Sequence, residues 1–166
     1  MQYVKIPEDR IAVLIGPKGA TKRKLEKRCK CRIEVVDGDV SVEGDPLDEW
    51  VGKDIVQAIG RGFTPEKALQ LLNDGHMIDF VDIEDYANTP KSRERLRGRV
   101  IGEAGRTRKH LERMTGTLIC VYGNTVGVIG SYGGVALAKE AVEMLLTGKR
   151  HATVYRFMEN QSRPER

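Results

Sequence analysis

The sequence predicts an α+β protein built from two copies of one β-α-α-β-β-α unit, and three observations carry that prediction. The first is a repeat. Ile15, Gly16, Gly19, Thr21, Leu25, Glu26, Ile33, Val35, Val40, Val42 and Gly44 recur 86 positions later as Ile101, Gly102, Gly105, Thr107, Leu111, Glu112, Ile119, Val121, Val126, Val128 and Gly130. An ordinary composition gives roughly two or three such identities by chance. The second is a four-residue turn, Gly16-Pro17-Lys18-Gly19 and Gly102-Glu103-Ala104-Gly105, set in both copies between helix-like stretches. The third is a pair of alternating apolar strands after each turn, joined tightly. A chain of 166 residues has room for two small domains. Units of that size bury modest cores, so the copies are expected to pack as one pseudo-symmetric body.

In the first copy, expected to span residues 1–63, Tyr3 to Ile6 alternates like a strand and Pro7 ends it. Arg10 to Ile15 reads as a short helix stopped at Gly16. A second helix runs from Ala20 to about Arg28, with Thr21, Leu25 and Cys29 on one face and the bases outside. Arg32 to Val36 and Val40 to Glu43 form a hairpin across Asp37-Gly38-Asp39. Asp45-Pro46 opens a helix as N-cap and first-turn proline. Leu47, Val51, Ile55 and Ile59 predict its buried stripe.

Residues 64–76 have no equivalent in the second copy and read as a linker helix carrying Ala68, Leu69, Leu71 and Leu72. The second copy, 77–150, begins with a strand at Ile78 to Ile83. Matching Val81-Asp82-Ile83 to Val4-Lys5-Ile6 leaves nine extra residues before its glycine turn, read as a longer helix lead-in. Strands at Leu118 to Tyr122 and Val126 to Ile129 follow, then a helix carrying Ala138, Ala141, Val142 and Leu145. Residues 151–166 form a C-terminal extension: His151 to Glu159 adds a helix or strand, and Gln161 to Arg166 should fray.

With 40% apolar and 31% charged residues, the chain reads as globular. It has no run long enough to span a membrane and no signal peptide, which predicts a cytoplasmic protein without a membrane partner. Three cysteines, Cys29, Cys31 and Cys120, fit neither a disulfide framework nor a four-ligand zinc site; packing is their expected role. The net charge of +4 hides an uneven arrangement. Lys18, Lys22, Arg23, Lys24, Lys27 and Arg28 follow the first turn; Arg95, Arg97, Arg99, Arg106, Arg108, Lys109 and Arg113 surround the second. Bases at equivalent places of a repeat point to a polyanion.

The glycine turn has its own chemistry. Its first glycine ends a helix where a side chain would clash. Its second lets a phosphate approach the start of the next helix, where free amides and the dipole favour an anion. Two residues between the glycines are too few to wrap a triphosphate, and Ala20-Thr21 after Gly19 is not the Lys-Ser/Thr of a P-loop.

These residues, with Val4-x-Ile6-Pro7, Ile11 to Ile15, Leu25, Ile33-x-Val35, Leu111 and Ile119-x-Val121, resemble the KH domain of β-α-α-β-β-α order. In KH modules the glycine loop clamps the backbone of about four nucleotides beside an apolar groove for the bases, here expected beside Ile33 and Ile119. Over about residues 3 to 158 the chain is similar to the archaeal relatives of the Partner-of-Nob pre-ribosomal factors. Arg97-Gly98-Arg99-Val100-Ile101-Gly102 and His151-Ala152-Thr153-Val154-Tyr155 are its most family-like stretches. The resemblance implies single-stranded RNA as partner, specifically small-subunit ribosomal RNA precursor near its 3′ end, with a ribosome-assembly nuclease or other assembly factor alongside. The RNA-binding residues it implies are Gly16, Pro17, Lys18, Gly19, Lys22 and Arg23, then Arg97, Arg99, Gly102, Glu103, Ala104, Gly105, Arg106, Arg108 and Lys109. Glu103-Ala104 departs from the basic loop pattern, since a carboxylate there repels phosphate; the surrounding bases within a Debye length of ~8 Å outweigh it.

Nothing in the sequence calls for catalysis, a cofactor or a metal. His76, His110 and His151 are the only histidines, and none has an obvious nucleophile beside it. The rival reading is a catalytic RNA-processing subunit holding Mg²⁺ on Asp79, Asp82 and Asp85. Strand alternation turns those carboxylates to solvent, and recognition without chemistry is the reading adopted.

Overall fold

The computed structural model describes residues 1–162 and divides the chain into two compact units, Met1–His76 and Met77–Arg166. The first unit runs β1 (Gln2–Lys5), α1 (Glu8–Ile15), α2 (Ala20–Cys29), β2 (Arg32–Val36), β3 (Asp39–Glu43), α3 (Pro46–Gly60) and α4 (Pro65–Ala68). Its sheet has the order β1-β3-β2 and is antiparallel throughout, with Val42 opposite both Gln2 and Ile33. The hairpin turn places both Asp37 (φ 50°) and Gly38 (φ 83°) in the left-handed region, the backbone a two-residue turn needs to follow the strand twist. Ile33, Val40 and Val42 point from one face of the sheet into the core, where they join Leu14, Leu25, Ile55 and Ile59.

The second unit repeats the plan as β4 (His76–Asp82), α5 (Pro90–Ile101), α6 (Arg106–Thr115), β5 (Leu118–Tyr122), β6 (Thr125–Ser131) and α7 (Tyr132–Leu146), with sheet order β4-β6-β5, and adds α8 (His151–Ser162). The extra residues before its glycine turn form a short 3-10 turn at Ile83–Asp85 and an α5 of 12 residues, against 8 in α1. The longer lead-in is thus partly helix and partly connection.

In the expected linker helix, residues 64–76, Ala68, Leu69 and Leu71 are buried, and α4 and the following turn pack on α3 within the first unit. Its apolar side chains have a face of their own unit to cover. The α3 stripe begins later than predicted, because Leu47 is 77% exposed and Val51 only half-buried. A strict i, i+4 spacing drifts about 40° per step around an α-helix, so Leu47 falls off the buried face that Glu49, Gly52, Ile55 and Ile59 share. Lastly, Gln161 lies within α8, whose Val154 and Met158 are fully buried against α6 and α7; residues 163–166 of the expected frayed end lie outside the described residues. Among the described residues no helix is long and apolar enough to cross a membrane.

Candidate nucleic-acid interface

Both glycine turns fold identically. Gly16 sits at φ 72°, ψ 179°, and Gly102 at φ 75°, ψ 172°. The third loop residue is left-handed although neither is glycine: Lys18 at φ 52°, ψ 29°, and Ala104 at φ 53°, ψ 27°. Gly19 (φ 75°) and Gly105 (φ 73°) then lead into α2 and α6. The first amide of each following helix is tied back into the turn, Ala20 N–H to the Pro17 carbonyl and Arg106 N–H to that of Glu103, but no side chain caps the helix, which leaves the next amides of the first turn to an anion. The first glycine is obligatory in both. A Cβ at Gly16 would lie 2.0 Å from Thr21 Oγ1, and one at Gly102 would lie 2.1 Å from Thr107 Oγ1. This close approach explains why the threonine recurs with the glycine.

Another recurring residue, the glutamate, is also structural. Glu26 Oε2 accepts from the Ile33 amide at 3.1 Å while Oε1 lies 3.4 Å from Lys22 Nζ. Glu112 Oε2 accepts from the Ile119 amide at 2.9 Å while Oε1 lies 2.7 Å from Arg108 Nη1. The base–carboxylate–amide chain ties the basic helix to the strand that follows. Lys22 and Arg108, expected at the RNA, are therefore engaged in this clamp. Arg23 Nη1 donates to the carbonyl of Lys18 at 2.8 Å and braces the loop from behind. Arg99 is engaged too: Nε donates to the Leu145 carbonyl at 2.9 Å, Nη2 donates to that of Lys149, and His151 Nε2 lies 3.0 Å from its own carbonyl. Pro17 and Lys18 in the first loop, and Glu103, Ala104, Arg106 and Lys109 in the second, remain exposed. Arg97 is half-buried, and its Nε is enclosed without a hydrogen-bond partner.

Ile33 and Ile119, the expected neighbours of the groove, are themselves core. Ile33 is 0% and Ile119 2% exposed, because the strand face that carries them is the one turned inward. Ile15 and Ile101, the residues just before each loop, are partly exposed apolar side chains. Sequence reading also passed over Gly98. It stands exposed in the middle of α5, one turn before Gly102, with nothing within 4 Å of where a Cβ would be. Its signal was a helix-disfavouring residue inside a helical pattern. The units differ on the second basic helix. Tyr155 of α8 packs on His110 with the rings tilted 58° and their centroids 4.2 Å apart, and donates to Thr107 Oγ1 at 3.4 Å; His110 is half-buried, whereas Lys24 at the equivalent place in α2 is exposed.

The acidic residues of the rival reading are dispersed. Burial alone would raise the Asp79 pKa. The hydrogen bond from Lys139 Nζ at 2.9 Å, another from the Phe80 amide and the Lys139 charge outweigh it, holding the carboxyl below its usual range. Asp82 Oδ1 accepts from the Glu84 amide. Among the described residues no three His, Cys, Asp or Glu side chains gather where a metal ion would sit.

A β-α-α-β-β-α unit with a left-handed glycine turn between its first two helices is an RNA-recognition module, present here in duplicate. The chain belongs to the KH-domain family: residues 77–163 match its eukaryotic type, KH-domain type I, and residues 1–74 match the KH domain. It is 48% identical to KH domain-containing protein MJ0443 of Methanocaldococcus jannaschii, over 97% of this chain and 74% of that one. It is 31% identical to the pre-rRNA-processing protein PNO1 of Chaetomium thermophilum over 75% of this chain, but spans only about half, 48%, of that relative's length. Two crystal structures from Pyrococcus horikoshii share 46% of its residues. One is of Dim2p (TM-score 0.90, 96% of this chain and 98% of that one); the other is of an a/eIF2alpha-aDim2p-rRNA complex (TM-score 0.89, 97% and 93%).

Proposed function

We propose that this chain is a single-stranded RNA-binding protein of ribosome assembly, acting without catalysis in the cytoplasm and holding small-subunit ribosomal RNA precursor near its 3′ end. The observation that carries the reading is the pair of loops with one backbone geometry, each opening an uncapped basic helix. The likeness to pre-rRNA-processing PNO1 and to Dim2p, crystallised with rRNA, supports the choice of RNA. Each loop takes a phosphate on its helix amides. Lys18 adds charge in the first copy, Arg106 and Lys109 in the second. Gly98 leaves bare backbone against which a sugar or base can lie. A nuclease or another assembly factor works alongside on the same RNA.

A filter-binding titration of matched single- and double-stranded RNA across salt tests this. About four neutralised phosphates, at a slope near −0.7 each, lower log affinity by roughly three units per tenfold rise in salt. Duplex RNA hides its bases and binds more weakly. Equal affinity for the two forms would reduce the protein to a general polyanion binder.

A further inference from the structure

The first turns of α3 carry two large apolar side chains that the fold does not use. Leu47 is 77% and Trp50 57% exposed. They stand at i and i+3, with half-buried Val51 at i+4, so the three form one ridge along the helix. The sister unit shows that the fold does without them: 86 positions on, Gly133 and Ala136 occupy the same places in α7. Isolated exposed leucines need no explanation, but a paired Leu–Trp ridge confined to one copy of a repeat does. Lys53 Nζ lies 4.9 Å from the Trp50 ring centroid and covers one side of the indole, leaving the remainder to solvent.

The surroundings state what the ridge takes. Between residues 43 and 54 the acids that reach the surface are Glu43, Asp45, Asp48 and half-buried Asp54, against the one base Lys53; Glu49 is buried and paired with the N-terminal amine at 2.7 Å. Asp54 continues the ridge, one turn beyond Trp50 and Val51. This is the reverse of the basic loops, and it repels a polyanion. A ridge at this spacing packs into the groove of another helix. We infer that the outer face of α3 in the first unit is a docking site for a protein partner that presents a basic amphipathic helix, separate from the RNA-binding loops.

Trp50 is the only tryptophan of the chain, so its fluorescence reads this site directly. The probe is a synthetic amphipathic helical peptide of leucine and lysine, titrated into the full-length protein, with a peptide of leucine and glutamate in parallel. The lysine peptide is expected to shift Trp50 emission to the blue, less so as salt rises. Leu47→Ala, which removes no buried contact, should weaken that binding about tenfold, the value of one buried leucine side chain. The same variant should leave single-stranded RNA affinity unchanged, which keeps this inference distinct from the proposed RNA function. No shift, an equal shift with the glutamate peptide, or insensitivity to Leu47→Ala would each overturn it. So would a shift produced by oligouridylate, or by raising protein concentration alone, which would make the occupant RNA or a second copy of the chain.

Discussion

Arg10 and Arg99 perform one structural task from different places on their helices. Arg10 donates to the carbonyls of Ile59 and Phe63, both at 2.8 Å, and Arg99 donates to those of Leu145 and Lys149. The four carbonyls correspond at the 86-residue offset, but the arginines do not: Arg10 matches Leu96, and Arg99 matches Val13. Positions 10 and 13 of this helix are nearly one turn apart, so either lets a guanidinium reach the end of the unit's long helix. The Ile59 and Leu145 carbonyls also accept from the Gly62 and Gly148 amides, so in each copy the guanidinium adds a charged donor to the turn that closes the helix.

Arg99→Ala should therefore act on stability. Leaving two carbonyls without their charged donor costs about 1–3 kcal/mol, and calorimetry should show the second unit melting several degrees lower. RNA affinity below that transition should stay near wild type. An unchanged melting curve with lost RNA binding would return Arg99 to the interface.

The exposed loop residues should behave in the opposite way. Replacing Pro17-Lys18 with Asp-Asp puts carboxylates where phosphate is held and should weaken single-stranded RNA binding with the fold intact. Arg106→Ala with Lys109→Ala is the matching test of the second loop, since Arg108 is tied to Glu112. The shallower salt slope of each variant, by about 0.7 per lost phosphate contact, is the number to read.

Gly98→Ala separates folding from binding within one substitution. Alanine in an open helix interior gains roughly 1 kcal/mol over glycine, so the melting temperature should rise. RNA affinity should fall, because the added methyl group occupies the surface left bare one turn before the loop. A gain in both would mean that nothing docks at that spot.

Lys30 caps α2 at φ 57°, where its counterpart Gly116 caps α6 at φ 66°. The left-handed conformation costs a lysine roughly 1 kcal/mol that glycine avoids. Lys30→Gly should raise stability by up to that amount in urea titration, with no change in RNA binding.

Burial first, and then the neighbouring Cys31, pushes the Cys29 thiol up to about 11, and Cys31 is raised as well. With Cys29 raised in the folded state, the unfolded chain loses the proton first. Its contribution to stability is complete below the unfolded pKa, near 9, and disappears as pH climbs towards 11. Urea unfolding across that window should show a steeper loss for wild type than for Cys29→Ala.

Much of this was legible in advance because the chain is its own alignment. The repeat exposed the unit and the loops, and alternation marked the hairpin strands at Arg32 to Val36 and Val40 to Glu43. It could not say why a residue recurs. Glu26 and Thr21 looked like members of a basic helix, yet one fastens that helix to a strand and the other fills the space beneath a glycine. Arg99 was placed at phosphate because charge is visible in sequence, whereas its bond to a carbonyl 46 residues away is not. Leu47 followed an i, i+4 spacing, but that spacing drifts around the helix, so over three steps it leaves the face that Ile55 and Ile59 bury.

The shared backbone of the two loops has one more implication. Since Lys18 and Ala104 leave the chain at the same angles, the duplication has changed charge while holding shape constant. On the proposed RNA-binding function, these are two grips of one form and unequal charge: Glu103 counts against the second, while Arg106 and Lys109 just outside the turn count for it. Rising ionic strength, or a competing anion, is then expected to loosen them in sequence, so that release of a bound strand would begin at one module while the other still holds.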